Sequence, residues 1–378
     1  MKRPLDDILV ADFSRVLAGP LCTQLLADAG ARVIKVEEPG RGDETRRWGP
    51  PFVRGVSAYF LSINRGKESM TLNLKNDEGR DIARRLIERA DVVVDNFLSL
   101  ALPVNERAVR CRISGFDDGT PGYDLLAQAE SGLMAITGEI EGEPMKSGVA
   151  LSDVLTAHHA FGAICAALHG RARTGEGASL DVSLFGATVA SLVNVAQNAL
   201  VTGKEAKRWG NAHPSIVPYQ LFHGSDRPFV VGCGTDRHYA LLCARVLERA
   251  DLVDDERFAT NARRVKHRAA LIAILENELA AKRAKHWVDA CRRAGVPASL
   301  VRGVREALRT EAGRALVDVV DHPVAGRYEA VRNPVRIDGA RAKAGAPPPE
   351  LGADTDKILR ELGYRRSDVA RLRAGGVI

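Results

Sequence analysis

Lys75 stands where an apolar stretch gives way to a helical one, so its ammonium and the helix N-terminus could share one phosphate. Taken alone, the same residue reads equally well as a lysine in solvent. Residues 12–37 carry a second arrangement with chemical capacity: strand, glycine-opened helix, then a strand ending in the acid Glu37. That is the layout in which a pyrophosphate rests on a helix N-terminus. The turn, however, reads Leu17-Ala18-Gly19-Pro20-Leu21-Cys22 and lacks the glycine fingerprint of nicotinamide sites. Asp153 precedes an apolar helical run, and by itself such an aspartate reads as the cap of a helix beginning at Val154. His158-His159 diverge on a helix and belong to no HExxH pattern, so they read as structural. Six cysteines are scattered without CxxC spacing; reduced, mostly buried thiols are expected, and no metal site.

Alternating strands and helices must position these residues. Ile8 to Phe13 predicts a strand, Gly19-Pro20 opens a helix with Leu21, Leu25, Leu26 and Ala29 at helical spacing, and Gly30 ends it. Further strands are expected at Val33–Val36, Met70–Leu74, Val92–Val94 and Val109–Ile113, with a helix capped by Asn76 and led by Asp77 and Glu78. The alternation implies a doubly wound, Rossmann-like α/β fold with a parallel sheet. Two helices are expected around Asp153, separated by Gly148 to Leu151. After about Val201 the pattern changes to a smaller α+β domain. It holds a hairpin of Tyr219–Gly224 and Pro228–Gly232 and helices over 239–249, 268–282 and 287–294. Pro347-Pro348-Pro349 forms a linker before one final helix, Thr355–Leu362.

The chain has 378 residues, 45% hydrophobic and 27% charged, with a net charge of +6. The length suits about two domains. The basic balance suits nucleic acid, an anionic membrane or a phosphorylated small molecule. No Lys/Arg block with interleaved aromatics supports the first. Apolar runs are interrupted before a membrane-spanning length, and MKRPLDDILVADF lacks the apolar core of a signal peptide. A cytoplasmic location is expected, without nucleic-acid or membrane partners.

A sharper pattern runs through the chain. It comprises Ala18-Gly19-Pro20, Leu26-Ala27-Asp28, Val33-Ile34-Lys35-Val36-Glu37, Gly42-Asp43, Asn64-Arg65-Gly66-Lys67, Leu72-Asn73-Leu74-Lys75 and Asp91 through Phe97. It continues with Ser114-Gly115-Phe116, Gly122-Tyr123-Asp124, Ala127-Gln128, Ser131-Gly132-Leu133, Trp209 through Pro214 and Leu359 through Tyr364. Together, and in this order, these motifs resemble the class III CoA-transferases, whose relatives include the α-methylacyl-CoA racemases. In that family the nucleophilic aspartate lies in a Gly-x-x-x-x-Asp segment, which Gly148 through Asp153 matches.

The resemblance implies a CoA-transferase with Asp153 as nucleophile, and a helix N-terminus would favour its ionised form. It nominates Arg15, Val16, Ala18, Leu72, Lys75, Asn96 and Phe97 for CoA. CoA and acyl-CoA enter as substrates, the other partner being a small carboxylic acid, with no tightly bound cofactor. It also implies an interlocked homodimer, with a large domain over 1–200, a small one over 201–328, and 329–378 returning to the first. Gly232-Cys233-Gly234 is a candidate source of oxyanion donors, or else a strand-ending turn. Glu38 stands where relatives often carry a basic residue, with Arg41 and Arg46 as substitutes. Leu17 replaces a glutamine of formyl-CoA transferase, which disfavours oxalate. Tyr123 and Thr235 stand at the racemase acid/base positions and disfavour racemisation. A racemase of the same fold and an inactive CoA-binding homologue remain the alternatives. Residues 98–108 and 117–120 are short for the family, which predicts at most one helical turn in the first and a more open adenine site.

Overall fold

The computed structural model describes residues 3–97, 103–341 and 344–378. The chain separates into two compact units, one of residues 1–134, 146–206 and 311–378, the other of 135–145 and 207–310. Against the expected 201–328, the second unit thus takes in 135–145 and ends at Thr310.

In the first unit the strands are β1 (Leu9–Asp12), β2 (Arg32–Glu37), β3 (Lys67–Thr71), β4 (Val92–Asp95), β5 (Val109–Ser114) and β6 (Ala178–Ser183). They form one sheet in the order β3-β2-β1-β4-β5-β6, with every pairing parallel. The chain works outward from β1 to β3 on one side, then restarts beside β1 and works outward on the other. In such a sheet the carboxyl ends of β1 and β4 border the crevice where ligands bind. Val10, Val33, Val92 and Val94 point to one face of the sheet, and Ala11, Ile34, Val36 and Val93 to the other.

Helix α1 (Ala18–Asp28) follows β1 and packs with Cys22 and Leu26 on the first face. Pro20 lies in its first turn, where the missing N–H costs nothing. Gly19 is required, because a Cβ there would stand 2.2 Å from that of Ser14. Gly30, at φ +118°, turns the chain into β2. A short helix, α2 (Ala58–Ile63), precedes β3. Helix α3 (Asp77–Arg89) is capped by Asn76, whose Oδ1 accepts the Glu78 N–H at 2.9 Å. Strand β3 begins earlier than the apolar pattern suggested. Lys67 pairs with the buried Asp12 and Glu68 with Arg32 and Lys357 nearer the surface, and after Thr71 the chain bends so that Asn73 N–H bonds Val377 O at 2.8 Å.

Next come α4 (Asp124–Glu130), α5 (Leu151–Thr174), α6 (Leu184–Ala190) and α7 (Asn194–Thr202). By length and hydropathy α5 is apolar enough to cross a bilayer, contrary to the expectation that every apolar run is cut short. One face of it is in the core: Ala157, Ala160 and Ile164 are wholly buried in the layer that also holds α1.

The last 68 residues of this unit close its far face. Two helices follow the proline-rich stretch where one was expected: α11 (Thr355–Glu361) and α12 (Arg366–Ala374). Ile358, Leu359, Val369 and Leu372 join the layer of Ile34, Met70 and Leu86. Ser69 and Thr71 of β3 donate their N–H groups to Asp354 and Thr355 at 2.9 and 3.0 Å.

The second unit is built on β7 (Tyr219–His223) and β8 (Pro228–Gly232), an antiparallel hairpin extended by β9 (Ala298–Leu300). Helices α8 (Asp236–Leu241), α9 (Arg268–Ala280) and α10 (Ala284–Ala294) enclose its core, where Phe222, Phe229, Leu271, Leu275 and Trp287 meet.

Candidate active site

Asp153 occupies the third position of α5, inside the first turn, with Ala150 as the N-cap. It is therefore not the cap of a helix starting at Val154. The end of α5 is satisfied from another element: Asp124, first residue of α4, accepts the Ser152 N–H at 2.9 Å. Gln128, one turn on, donates to Asp124 at 2.8 Å and accepts the Ser147 N–H at 2.8 Å. The Gly-Tyr-Asp and Ala-Gln motifs thus brace the segment that delivers Asp153.

The Asp153 carboxyl also meets a second helix start. Its Oδ1 accepts the N–H of Ala18, first residue of α1, at 3.2 Å. Both helix ends favour the carboxylate. Burial opposes them, as does the nearby Asp124 carboxylate, and together they push the Asp153 carboxyl up to about 7. The expectation of a simply ionised aspartate is corrected accordingly: near neutral pH this group exchanges its proton. Tyr59 on α2 faces the same carboxyl, its phenol pushed up to about 12 by burial and by Asp153. Trp48 packs edge-on against Tyr59, ring centroids 5.2 Å apart. Trp48, Tyr59 and the bracing role of Asp124 were missed in the sequence, where no periodicity or spacing marks them.

The remaining nominated residues gather at the carboxyl ends of β1, β3 and β4. A cleft of about 510 Å³ holds Asp153 together with Val16, Ala18, Trp48 and Asn96. A second, of about 540 Å³, is lined by Leu72, Lys75, Glu38 and Arg80. Arg15 and Phe97 line both. Asn96 clamps the Arg15 backbone from both sides, accepting its N–H at 3.0 Å and donating to its carbonyl at 2.8 Å. The Arg15 guanidinium lies 4.6 Å over the Phe97 ring and bonds Glu44 at 2.8 Å. The β1–α1 and β4 loops are thereby locked together.

Two expectations about cations change. Lys75 is largely exposed, with its ammonium 3.8 Å from Glu38. The α3 terminus beside it already has Asn76 as cap and Asp77 and Glu78 in its first turn, so it offers little to an anion. Arg46 is no substitute cation, because it forms a bidentate pair with Glu37 at 2.7 Å and stacks 3.8 Å over Phe60. Arg80, unnoticed in the sequence, lines the second cleft, its guanidinium bonded to Asp77 at 2.6 Å.

Gly119, Thr120 and Pro121 line the Asp153 cleft. In the 96–108 connection, 98–102 lie outside the described residues and 103–108 contain no helix. In the second unit Gly232 ends β8, Cys233 is wholly buried and Thr235 caps α8. His158 and His159 are exposed on α5, and no cluster of three metal-ligating side chains occurs among the described residues.

Comparison with known proteins places this geometry. The family model described as CoA-transferase family III matches residues 5–355. The chain is 39% identical to succinyl-CoA:glutarate CoA-transferase of Mus musculus, over all of this chain and 90% of that protein. It is 38% identical to acetyl-CoA:oxalate CoA-transferase of Acetobacter aceti, over 92% of this chain and 93% of that one. A crystal structure of a CAIB/BAIF family protein from Brucella suis superposes with a TM-score of 0.84 at 38% identity, covering 96% of this chain and 100% of that one. A match of this length, on a parallel sheet whose crevice holds Asp153, leaves one assignment: the chain belongs to CoA-transferase family III.

Proposed function

We propose that this transferase carries CoA from an acyl thioester to a carboxylic acid by covalent catalysis on Asp153. The observation that supports the reading is the Asp153 carboxyl, set between two helix starts in a cleft bordered by Arg15, Asn96 and Phe97. A carboxylate oxygen of Asp153 attacks the thioester carbon; a C–O bond forms, the C–S bond breaks, and CoA leaves as thiolate. The thiolate then attacks the Asp153 carboxyl carbon of the mixed anhydride. A C–S bond forms, the donor departs as its carboxylate, and CoA remains as an aspartyl thioester. An acceptor carboxylate attacks that thioester and the two steps run in reverse, so no external energy source is needed. Arg15, Lys75 and the Asn96-Phe97 turn hold the CoA, in an adenine site left open by the short 98–108 and 117–120 segments. Succinyl-CoA with a small dicarboxylic acid is the first pair to assay, following the Mus musculus relative named above.

The working form is a homodimer in the cytoplasm. In its support, α7 and the turn before it expose Val193, Leu200 and Val201, each at least 70% accessible. A largely apolar cavity of about 1000 Å³ also opens beside Phe161, Cys165 and Leu168 of α5. The test of the chemistry is direct. Wild-type protein given succinyl-CoA and then hydroxylamine should yield a hydroxamate at Asp153, and Asp153→Ala should lose transfer while keeping its circular dichroism spectrum. Transfer at the wild-type rate in Asp153→Ala would falsify the assignment.

A further inference from the structure

Between β1 and α1 the chain holds a conformation that its residues do not favour. Val16 has φ +71°, a left-handed backbone that a β-branched side chain rarely adopts. Surrounding contacts must enforce it. The Val16 N–H points to the Asp43 carboxylate, 3.3 Å from Oδ2 and 3.4 Å from Oδ1. Asp43 is itself fixed: its Oδ1 accepts the Thr45 N–H and hydroxyl at 2.9 and 2.7 Å, and its backbone N–H bonds Glu37 at 3.0 Å. Its Oδ2 lies 2.9 Å from the Lys35 ammonium, both side chains being wholly buried. Lys35 also donates to Ser14 O at 2.8 Å, gripping the same loop one peptide earlier. Two residues beyond Val16 comes the Ala18 N–H that meets Asp153.

We infer that Asp43, anchored by Lys35, is a positioning residue that holds Val16 in its left-handed conformation and so aims the Ala18 N–H at the Asp153 carboxyl. The inference rests on the proposed role of Asp153 and adds to it a reason for the two buried charges. The Ala18 N–H occupies Oδ1, which leaves Oδ2 to attack the thioester. When the thiolate later adds to the Asp153 carboxyl carbon, the C=O electron pair moves onto Oδ1, and the same N–H is in place to receive that charge. Collapse returns the pair to the C=O bond and expels the donor carboxylate. An N–H displaced by a fraction of an ångström loses this function while Lys75 and the Asn96-Phe97 turn, which hold the CoA, keep their places.

The test uses full-length enzyme with succinyl-CoA. Trapping of the Asp153 hydroxamate in the wild type comes first, and its absence would sink the covalent reading itself, whatever Asp43 does. With trapping seen, Asp43→Asn should lower kcat about 100-fold while KM for the acyl-CoA changes little. The groups facing Asp153 are Asp124 of α4, Tyr59 of α2 and the α1 N-terminus, with Arg15, Glu44 and Tyr123 lining the same cleft. Of these only the α1 N–H should be displaced, so the acid limb of the rate profile should move to higher pH. Adding Val16→Gly should restore much of the lost rate, because glycine adopts the left-handed conformation unaided. If Asp43→Asn fails to fold, Lys35→Met/Asp43→Asn, which removes both buried charges of this pair, carries the same expectations. An unchanged kcat, an unmoved acid limb, or no recovery with Val16→Gly would each overturn the inference.

Discussion

At the residue scale the decisive property is the proton on Asp153. Burial and Asp124 set its carboxyl near 7, and a nucleophile must be ionised, so kcat/KM should rise with pH through about 7. A pH–rate profile between pH 5 and 9 checks this, and a flat profile would remove Asp153 ionisation from the rate law. Stability follows with the opposite sign. The native state holds this proton up to about pH 7 and the unfolded chain releases it near 3.8, so the group favours folding below about pH 4 and loses that contribution as pH rises through 7. At pH 8 the site holds an unfavourable buried charge. Asp153→Asn should therefore stabilise the protein there, by roughly 1–4 kcal/mol, and much less at pH 4. Thermal melts at the two pH values decide it.

At the element scale the site depends on where helices begin. The α5 start leans on Asp124, and the α1 start leans on a buried network below it. Lys67 is part of that network, with its ammonium wholly buried and bonded to Asp12, Pro20 O and Asn64 at 2.9 to 3.1 Å. The Asn-Arg-Gly-Lys motif therefore serves the α1 terminus rather than a ligand. Asp124 both caps α5 and raises the Asp153 proton affinity by its charge. Asp124→Asn keeps an acceptor for Ser152 but removes the charge. Its acid limb should move to lower pH, opposite to the shift expected for Asp43→Asn, with a stability change of about 1 kcal/mol or less. A limb displaced upward would mean that the repulsion from Asp124 is not what sets the proton affinity.

At the scale of the whole molecule, the strand order explains why residues from separate stretches of sequence meet. The order reverses beside β1, so the loops after β1 and β4 part there, and the crevice between them takes Arg15, Asn96 and Phe97. The C-terminal segment closes the opposite flank by bonding β3, an arrangement that also removes an exposed sheet edge. The exposed apolar side chains of α7 are the basis of the proposed homodimer. Light scattering at micromolar concentration should report a dimer, and a stable monomer would leave the proposed interface without support.

The α/β alternation, the helix capped by Asn76 and the hairpin after Val201 were legible in the sequence because they rest on local periodicity and turn chemistry. Family motifs likewise marked Asp153 and residues now found around two clefts that share Arg15 and Phe97, since a motif keeps its order along the chain. Local patterns could not show that Asp124 would cap α5 in place of Asp153, or that Arg46 would be consumed by Glu37. Nor could they place β3 three residues early or add α12 to the C-terminus. Each of these depends on a partner in another element, and only folding supplies it. The same holds for the proton on Asp153. One helix start read from sequence predicts a carboxylate, whereas burial and a second carboxylate, both products of tertiary packing, raise it to about 7.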